Sequence, residues 1–351
     1  MLAAVIERYG PPEVVHVTQR PTPAPGPGEI RVRVATTTVG ASDVAFRAGS
    51  PWFARLVTGI RRPRQGVVGT DFAGTVDAMG AGVADFAPGE RVHGVTGVAS
   101  GTHAEYVVVA AAGAVQRVPE GVDDLEAVAM LDGFLTALPF LRDVGAVQSG
   151  QHVLVNGASG TVGSAAVQLA RSMGARVTAV TSTPNVALVR SLGADRVVDY
   201  TVESFTDARG EYDLIFDAVG RSSFRRCRRS LARHRRRVDA VPSERTTVPS
   251  GDVLLLGPLT KLFRRRRAAI TFTGLRADAA KRADLALLPH LVASGAFTPV
   301  IDRVDALADV VEAHRRAGTG RKVGAVVLVV DPRVPLPPDG AAHRTATEAS
   351  S

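Results

Sequence analysis

The chain has 351 residues, 45% of them apolar and 22% charged, with a formal net charge of +8. That length suggests about two domains, and that composition supports a core and excludes global disorder. No apolar run reaches the roughly 20 residues of a membrane-spanning helix, the 35 glycines show no G-X-Y period, and the single Cys227 excludes a disulfide framework and any Cys-rich zinc site.

The first 120 or so residues read as β-rich. Leu2–Ile6 is a short apolar strand, and the following Glu7 and Arg8 interrupt any secretory apolar segment, so a soluble, cytoplasmic protein is expected. The loop PTPAPGPGE forbids regular structure from Pro21 to Glu29. Ile30–Ala35 alternates apolar and polar residues, as a half-buried strand does. Val67–Val76 and Glu105–Ala110 are further strands, with glycine turns between them. Short strands so punctuated suggest a barrel or sandwich.

From Asp123 the pattern changes. Helices are expected from Asp124 to Leu131 and from Asp132 or Gly133 to Val144. Strands and helices then alternate: VLVN, the helix Thr161–Met173, RVTAVT, the helix Asn185–Leu192, RVVDY, DLIFDAV and the helix Phe224–Leu231. Such alternation implies a parallel sheet covered on both faces. Ile270–Leu275 reads as a strand, Asp278–Ser294 as a helix, and PVIDRV, Ala306–Arg316 and KVGAVVLVV as strand, helix and strand. The Pro-, Ala- and Ser-rich tail from Pro332 is expected to be disordered.

The positive charge is local. Nine arginines lie between Arg221 and Arg237, and four more form Arg264–Arg267. No RNP-type aromatic pattern or zinc-finger spacing accompanies them, so a solvated face or a patch for an anionic cofactor is expected and a nucleic-acid partner is not. Cys227, inside RRCRR, reads as an incidental thiol.

The strongest local signal is VLVNGASGTVGSAAVQLA, where a strand runs through Gly157, Gly160 and Gly163 into a helix. A pyrophosphate needs backbone N–H groups at close range and a helix N-terminus aimed at it. Gly160 would admit the phosphates, and Gly163 would let helix and strand pack closely. An NAD site places Asp or Glu at the end of the next strand, about twenty residues on. Here that strand ends in Thr181, Ser182 and Asn185, with no carboxylate, so NADP (as NADPH) is the expected cofactor, with Arg190 or the arginine block as possible basic partners.

Several ordered motifs resemble the medium-chain dehydrogenase/reductase superfamily, in its zinc-independent quinone oxidoreductase and enoyl reductase branch. They are YGPPEVV, TVGASDVAFRAG, VVGTDFAGTVDAMGAGV, FAPGERVHG, GTHAEYV, the glycine loop, LVRSLGADRVVDY and YDLIFDAVG. The resemblance implies an α/β fold: a GroES-like, partly open β-barrel catalytic domain with an inserted Rossmann domain, a doubly wound parallel sheet. The expected boundaries are 1–124 for the catalytic domain, 125–296 for the NADP-binding domain, 297–330 for the return and 331–351 for the tail. Ser159, Thr161 and Val162 match phosphate- and nicotinamide-side contacts, and Tyr200 matches a contact to the adenosine end. The catalytic expectations are Thr136 at the nicotinamide pocket, His103 donating a hydrogen bond to a substrate carbonyl, and Asp43, which matches the family pattern with Arg47 and reads first as an internal structural pair. Trp52, Phe53, Phe134 and the stretch Ser50–Arg64 would shape the substrate pocket.

The same comparison places Gly40, Thr70-Asp71 and Asp132 where zinc-dependent relatives hold Cys, His-Glu and Cys. No metal is therefore expected. The family's Gly-Gly turn after the helix Phe224–Leu231 is replaced by ARHRRRVDAVPSE, which removes the glycine that would bring backbone close to the nicotinamide. The expected activity is metal-free hydride transfer from NADPH to a quinone or an α,β-unsaturated carbonyl, by a homodimer. The alternatives are an NADPH-binding sensor or structural protein, a zinc-free alcohol dehydrogenase, and an RNA-binding relative that uses the arginine block.

Overall fold

The computed structural model describes residues 1–50, 55–64, 66–220, 222, 224–239, 266–270 and 273–337. Its backbone divides into two compact units. One is built from Met1–Asp132 with Gly274–Ser351, the other from Gly133–Thr273.

The first unit is mostly antiparallel. A seven-stranded sheet runs β14 (Ile301–Ala306), β15 (Ala325–Val329), β3 (Glu29–Thr38), β4 (Asp71–Met79), β5 (Arg91–Val95) and β7 (Val115–Arg117), and β6 (Tyr106–Ala110) also pairs with β3. A separate hairpin joins β1 (Leu2–Val5) to β2 (His16–Gln19). Strand β3 shows why alternation underestimates it. Ile30, Val32 and Val34 point inward as expected, but Ala35–Thr38 is buried on both faces, and threonine hydroxyls make that possible. Thr36 Oγ1 donates to Asp124 O at 2.6 Å and Thr37 Oγ1 to Asp71 O at 2.6 Å. A buried hydroxyl is tolerated only with such a partner.

The strand expected at Val67–Val76 begins instead at Asp71. Gly69 breaks the run, with φ of 95° and a position where a Cβ would lie 2.2 Å from His103 Cδ2. Helix α1 (Ala41–Ala48) opens at Gly40 and packs against α9 (Val310–Gly318). The core gathers Ile30, Val32, Phe72, Val92, Val326 and Leu328.

The second unit is a six-stranded, all-parallel sheet. Its order is β10 (Arg196–Asp199), β9 (Arg176–Thr181), β8 (His152–Asn156), β11 (Tyr212–Asp217), β12 (Leu231–Asp239) and β13 (Arg266–Ile270). Counted along the chain this is the 3-2-1-4-5-6 order of a doubly wound nucleotide-binding sheet. Among the described residues its helices include α4 (Thr161–Ser172), α5 (Val186–Ser191) and the one-turn α6 (Phe224–Cys227).

Three expectations change. The two helices expected after Asp123 form one, α3 (Asp124–Pro139), continued by a π-helical turn at Phe140–Gly145. Gly133 does not break it; a Cβ there would lie 2.5 Å from Thr161 O, so glycine sets how closely α3 approaches α4. The helix expected at Asp278–Ser294 is split into α7 (Asp278–Leu285) and α8 (Leu288–Ala293), because Pro289 sits in the first turn of α8. The strand expected at Ile270–Leu275 lies earlier, as β13, with a 3-10 turn at Thr273–Leu275.

The backbone division at 132/133 and 273/274 differs from the expected 124/125 and 296/297. Helix α7 explains the later shift, since Arg282 donates to Ala111 O at 2.6 Å and Gln116 to Arg282 O at 3.3 Å, both ties within the first unit. Of the expected disordered tail, Asp331–Pro337 is described, with Val330 N and Asp331 N both bonded to Ala35 O, and residues 338–351 lie outside the described residues.

Candidate functional site

In the second unit the chain leaves β8 at Asn156 and turns into α4. Gly157 has φ of 80°, and its N–H and that of Ala158 both donate to Val180 O, at 3.1 and 3.0 Å. Gly160 is extended, with φ −77° and ψ 170°, and caps α4. The three glycines serve different ends. A Cβ on Gly157 would lie 2.4 Å from Val219 Cγ2, and one on Gly163 would lie 2.0 Å from Gly157 O. Both are demanded by the fold. A Cβ on Gly160 would meet only Gly157 O, at 3.6 Å, an ordinary contact. The protein itself leaves room for a side chain at position 160. A ligand lying on the helix N-terminus is what would exclude one.

Ser159, half-buried in this turn, accepts from Thr181 Oγ1 at 3.0 Å and from Asn185 Nδ2 at 3.3 Å, and Asn185 Nδ2 also reaches Ser182 Oγ at 3.2 Å. Ser159, Thr181, Ser182 and Asn185 thus form one cluster of hydroxyl and amide groups. Thr161 is buried, and Val162 is half-buried on the first turn of α4. Tyr200 joins through its backbone, N to Thr181 O at 3.0 Å, while its side chain is exposed.

Sequence reading missed two acids here. Asp199 is the register partner of Thr181 on the neighbouring strand, so a carboxylate stands beside the end of β9 after all. Hydrogen bonds from the Thr183 and Thr201 hydroxyls hold its pKa below the usual carboxylate range. Asp217, fully buried at the end of β11, accepts from Asn156 Nδ2 at 2.9 Å, Val219 N at 3.0 Å and Gly220 N at 3.1 Å, and so locks the turn beside the glycine loop. The FDAVG string held that signal. Thr136 is half-buried on α3, one turn beyond Gly133.

In the first unit His103 is placed differently from its expected role. It is fully buried, and its Nε2–H donates to Thr38 O at 2.9 Å. That bond fixes the proton on Nε2 and leaves Nδ1 a buried acceptor with no partner. Burial pulls its pKa down to about 4. Neither nitrogen is free to donate to a substrate. Its ring lies edge-on to His314, 5.9 Å between centroids.

The Asp43–Arg47 pair is also corrected. Asp43 Oδ2 accepts from Gly40 N at 2.7 Å, Arg47 Nη1 donates to Gly10 O at 2.9 Å, and Asp43 Oδ1 and Arg47 Nε have no partner. Each ties a helix end to a loop. Trp52 and Phe53 lie outside the described residues, as do the side chains of Arg233–Arg237 and Arg264–Arg267, while Arg225, Arg226, Arg228 and Arg229 are exposed.

At the positions matched to zinc ligands, Gly40 offers no side chain. Thr38 Oγ1 donates to Asp71 Oδ2 at 2.7 Å and Thr70 Oγ1 to Asp71 Oδ1 at 3.2 Å. A Cβ at Gly40 would stand 3.5 Å from both Asp132 Oδ2 and Asp43 Oδ2. Lys322, which sequence reading did not single out, donates to Gly324 O at 2.9 Å and lies within the field of the Asp132, Asp302, Asp43 and Asp71 carboxylates. Carboxylates with an ammonium among them do not fit zinc, which takes imidazole and thiolate and is repelled by a fixed cation.

Comparison with known proteins agrees with both units. The family model for the alcohol dehydrogenase GroES-like domain matches residues 26–120, and that for zinc-binding dehydrogenase matches residues 192–328. Quinone-oxidoreductase QR1, chloroplastic, of Triphysaria versicolor is 30% identical over 269 residues, 74% of this chain and 78% of that protein. Trans-enoyl reductase pgmF of Aspergillus terreus is 37% identical over 195 residues, a match spanning only about half of each, 52% of this chain and 52% of that one. The native structure of mycobacterial Rv1454c complexed with NADPH is similar at a TM-score of 0.78 and 27% identity, covering 94% of this chain and 100% of that one. A parallel sheet in Rossmann order, set in the sequence between the two parts of a GroES-like unit, accounts for all of these matches, and the chain belongs to the medium-chain dehydrogenase/reductase superfamily, in the branch that includes proteins named as quinone oxidoreductases and enoyl reductases.

Proposed function

We propose that this protein is an NADPH-dependent reductase that passes hydride to a quinone or an α,β-unsaturated carbonyl without a metal ion. The observation that carries the reading is Gly160: the fold leaves space for a Cβ there, so its glycine answers to a ligand on the N-terminus of α4. When bound, the dinucleotide supplies the hydride. The protein's residues do the rest. Backbone N–H groups of the first turn of α4 receive the pyrophosphate. The Ser159, Ser182 and Asn185 cluster offers neutral donors to a 2′-phosphate, and Asp199 is already engaged by threonine hydroxyls. Without a Lewis acid, the acceptor has to delocalise its own charge, as quinones and enones do. Thr136 is the second unit's side chain proposed to line the nicotinamide, and a homodimer is proposed as the working form.

Fluorescence titration with NADPH and NADH tests the cofactor, followed by turnover of 1,4-naphthoquinone and short enones after dialysis against EDTA. Gly160→Val should abolish dinucleotide binding while the urea midpoint stays close to that of the parent. Ser182→Asp should reverse the preference for NADPH over NADH. Unchanged NADPH affinity in folded Gly160→Val would refute the assignment, and binding without turnover of any acceptor would favour a sensor or structural role.

A further inference from the structure

The reduction proposed above consumes a proton as well as a hydride. Four elements of the first unit bring acids and a base to one place. Asp43 comes from α1, Asp71 from the start of β4, Asp132 from α3 and Lys322 from the segment before β15. Asp43 is 2% exposed and Asp71 5%, whereas Asp132 and Lys322 are half-buried. Asp43 Oδ1 is buried without a hydrogen-bond partner, so the inner wall of the cluster holds an acceptor that the protein leaves unused. Four carboxylates act on one ammonium; Asp302 has its own partner in Arg316, and Asp43, Asp71 and Asp132, so crowded and desolvated, cannot all ionise together.

We propose that Asp71 and Asp132, with Lys322 beside them, form the proton store of this reductase and deliver the proton that the reduced substrate takes up. The inference rests on the reductase reading above. Once the substrate holds the hydride's electron pair, negative charge resides on its oxygen or α-carbon. The O–H bond of the carboxylic acid breaks, and its proton bonds to that oxygen or carbon. The carboxylate left behind regains a proton from water through the half-buried Asp132 and Lys322. The substrate gains two electrons, the nicotinamide loses two, and no further reductant is needed.

The electrostatics agree with the geometry. Burial, and then the Asp132 charge, raises Asp71 to about 7, where an acid both holds and releases a proton near neutrality. Asp132 is raised by burial and pulled back by Lys322, and Asp43 is raised by burial and then by Asp71. His103, with a pKa of about 4, holds no acid proton to give at neutral pH.

Asp71→Asn keeps the two threonine partners and removes the titration. Its kcat with 1,4-naphthoquinone at pH 7 should fall about 100-fold, with KM and NADPH affinity unchanged, and the fall of kcat above neutral pH should vanish from the profile. Lys322→Met should move that limb to higher pH, and Lys322→Arg should restore it. In cofactor-free protein, the infrared band of a protonated carboxyl should titrate near neutrality and lose that component in Asp71→Asn. Parental kcat and pH profile in Asp71→Asn would overturn the inference, as would a cofactor-free protein with no carboxyl titrating near neutrality. Should the parent turn over neither quinone nor enone, the reductase reading fails, and the infrared titration still decides whether the cluster stores a proton.

Discussion

Acid should loosen the first unit through histidines held neutral inside it. His93 and His103 are fully buried, each with one ring nitrogen bonded to a backbone carbonyl and the other without a partner. Burial lowers both to about 4, from the 6.5 of a solvated imidazole. Between those values the unfolded chain binds a proton that the folded chain refuses, so stability is full above pH 6.5 and is lost as pH falls. At about 1.36 kcal/mol per pH unit, each histidine costs about 2 kcal/mol of stability on going from pH 7 to pH 5. Asp71 works the other way, because its raised pKa lets the folded chain take up a proton as pH falls from 7. The histidine contribution is isolated by His103→Gln, whose amide Nε2–H can keep the bond to Thr38 O but cannot titrate. Urea unfolding of the parent and the variant at pH 7 and pH 5 should show the acid loss smaller in the variant by about 2 kcal/mol. His93→Asn, with an amide in place of Nδ1, should subtract a like amount. An identical pH dependence in parent and His103→Gln would refute the reasoning.

Gly163→Ala should behave unlike Gly160→Val. Its Cβ would stand 2.0 Å from Gly157 O, so α4 must shift off β8; a loss of about 1–3 kcal/mol is expected, read as a lower urea midpoint at pH 7. Asp217→Ala removes the common acceptor of Asn156 Nδ2, Val219 N and Gly220 N. It should cost at least about 3 kcal/mol and expose the amides of β8 and β11 to hydrogen exchange, whereas retained protection there would show that water replaces the carboxylate.

What the sequence made legible follows from where the physics is local. The strand, glycine turn and helix around Gly157–Gly163 are specified by residues in direct succession, and they fold as read. Alternation along Ile30–Val34 also announces its strand. Contacts made across chain separation were hidden. Asp199 meets Thr181 only because β10 lies beside β9. Lys322 meets Asp132 only because the chain returns to the first unit after residue 273. His103 looked like a donor to substrate because its neighbours in sequence say nothing of Thr38, 65 residues away, whose carbonyl oxygen accepts its N–H. The arginine-rich segment misled in another sense: a run so charged did not read as a strand, yet β12 pairs with β11 on one side and β13 on the other.

The interrupted path of the first unit bears on the order of events during synthesis. Strand β15 lies between β14 and β3, so Thr36–Thr38 of β3 has no partner on that side until about the last tenth of the described chain has left the ribosome. Every strand of the second unit, by contrast, is contiguous within 133–273 and is available well before that point. Domains fold as units when their sequence is complete, so the later-encoded sheet is the one expected to mature first. During that interval Thr36–Thr38 of β3 lacks its partner on that side, while Glu29–Arg33 can already pair with β6, so the unpaired edge left for wrong pairing is three threonines long.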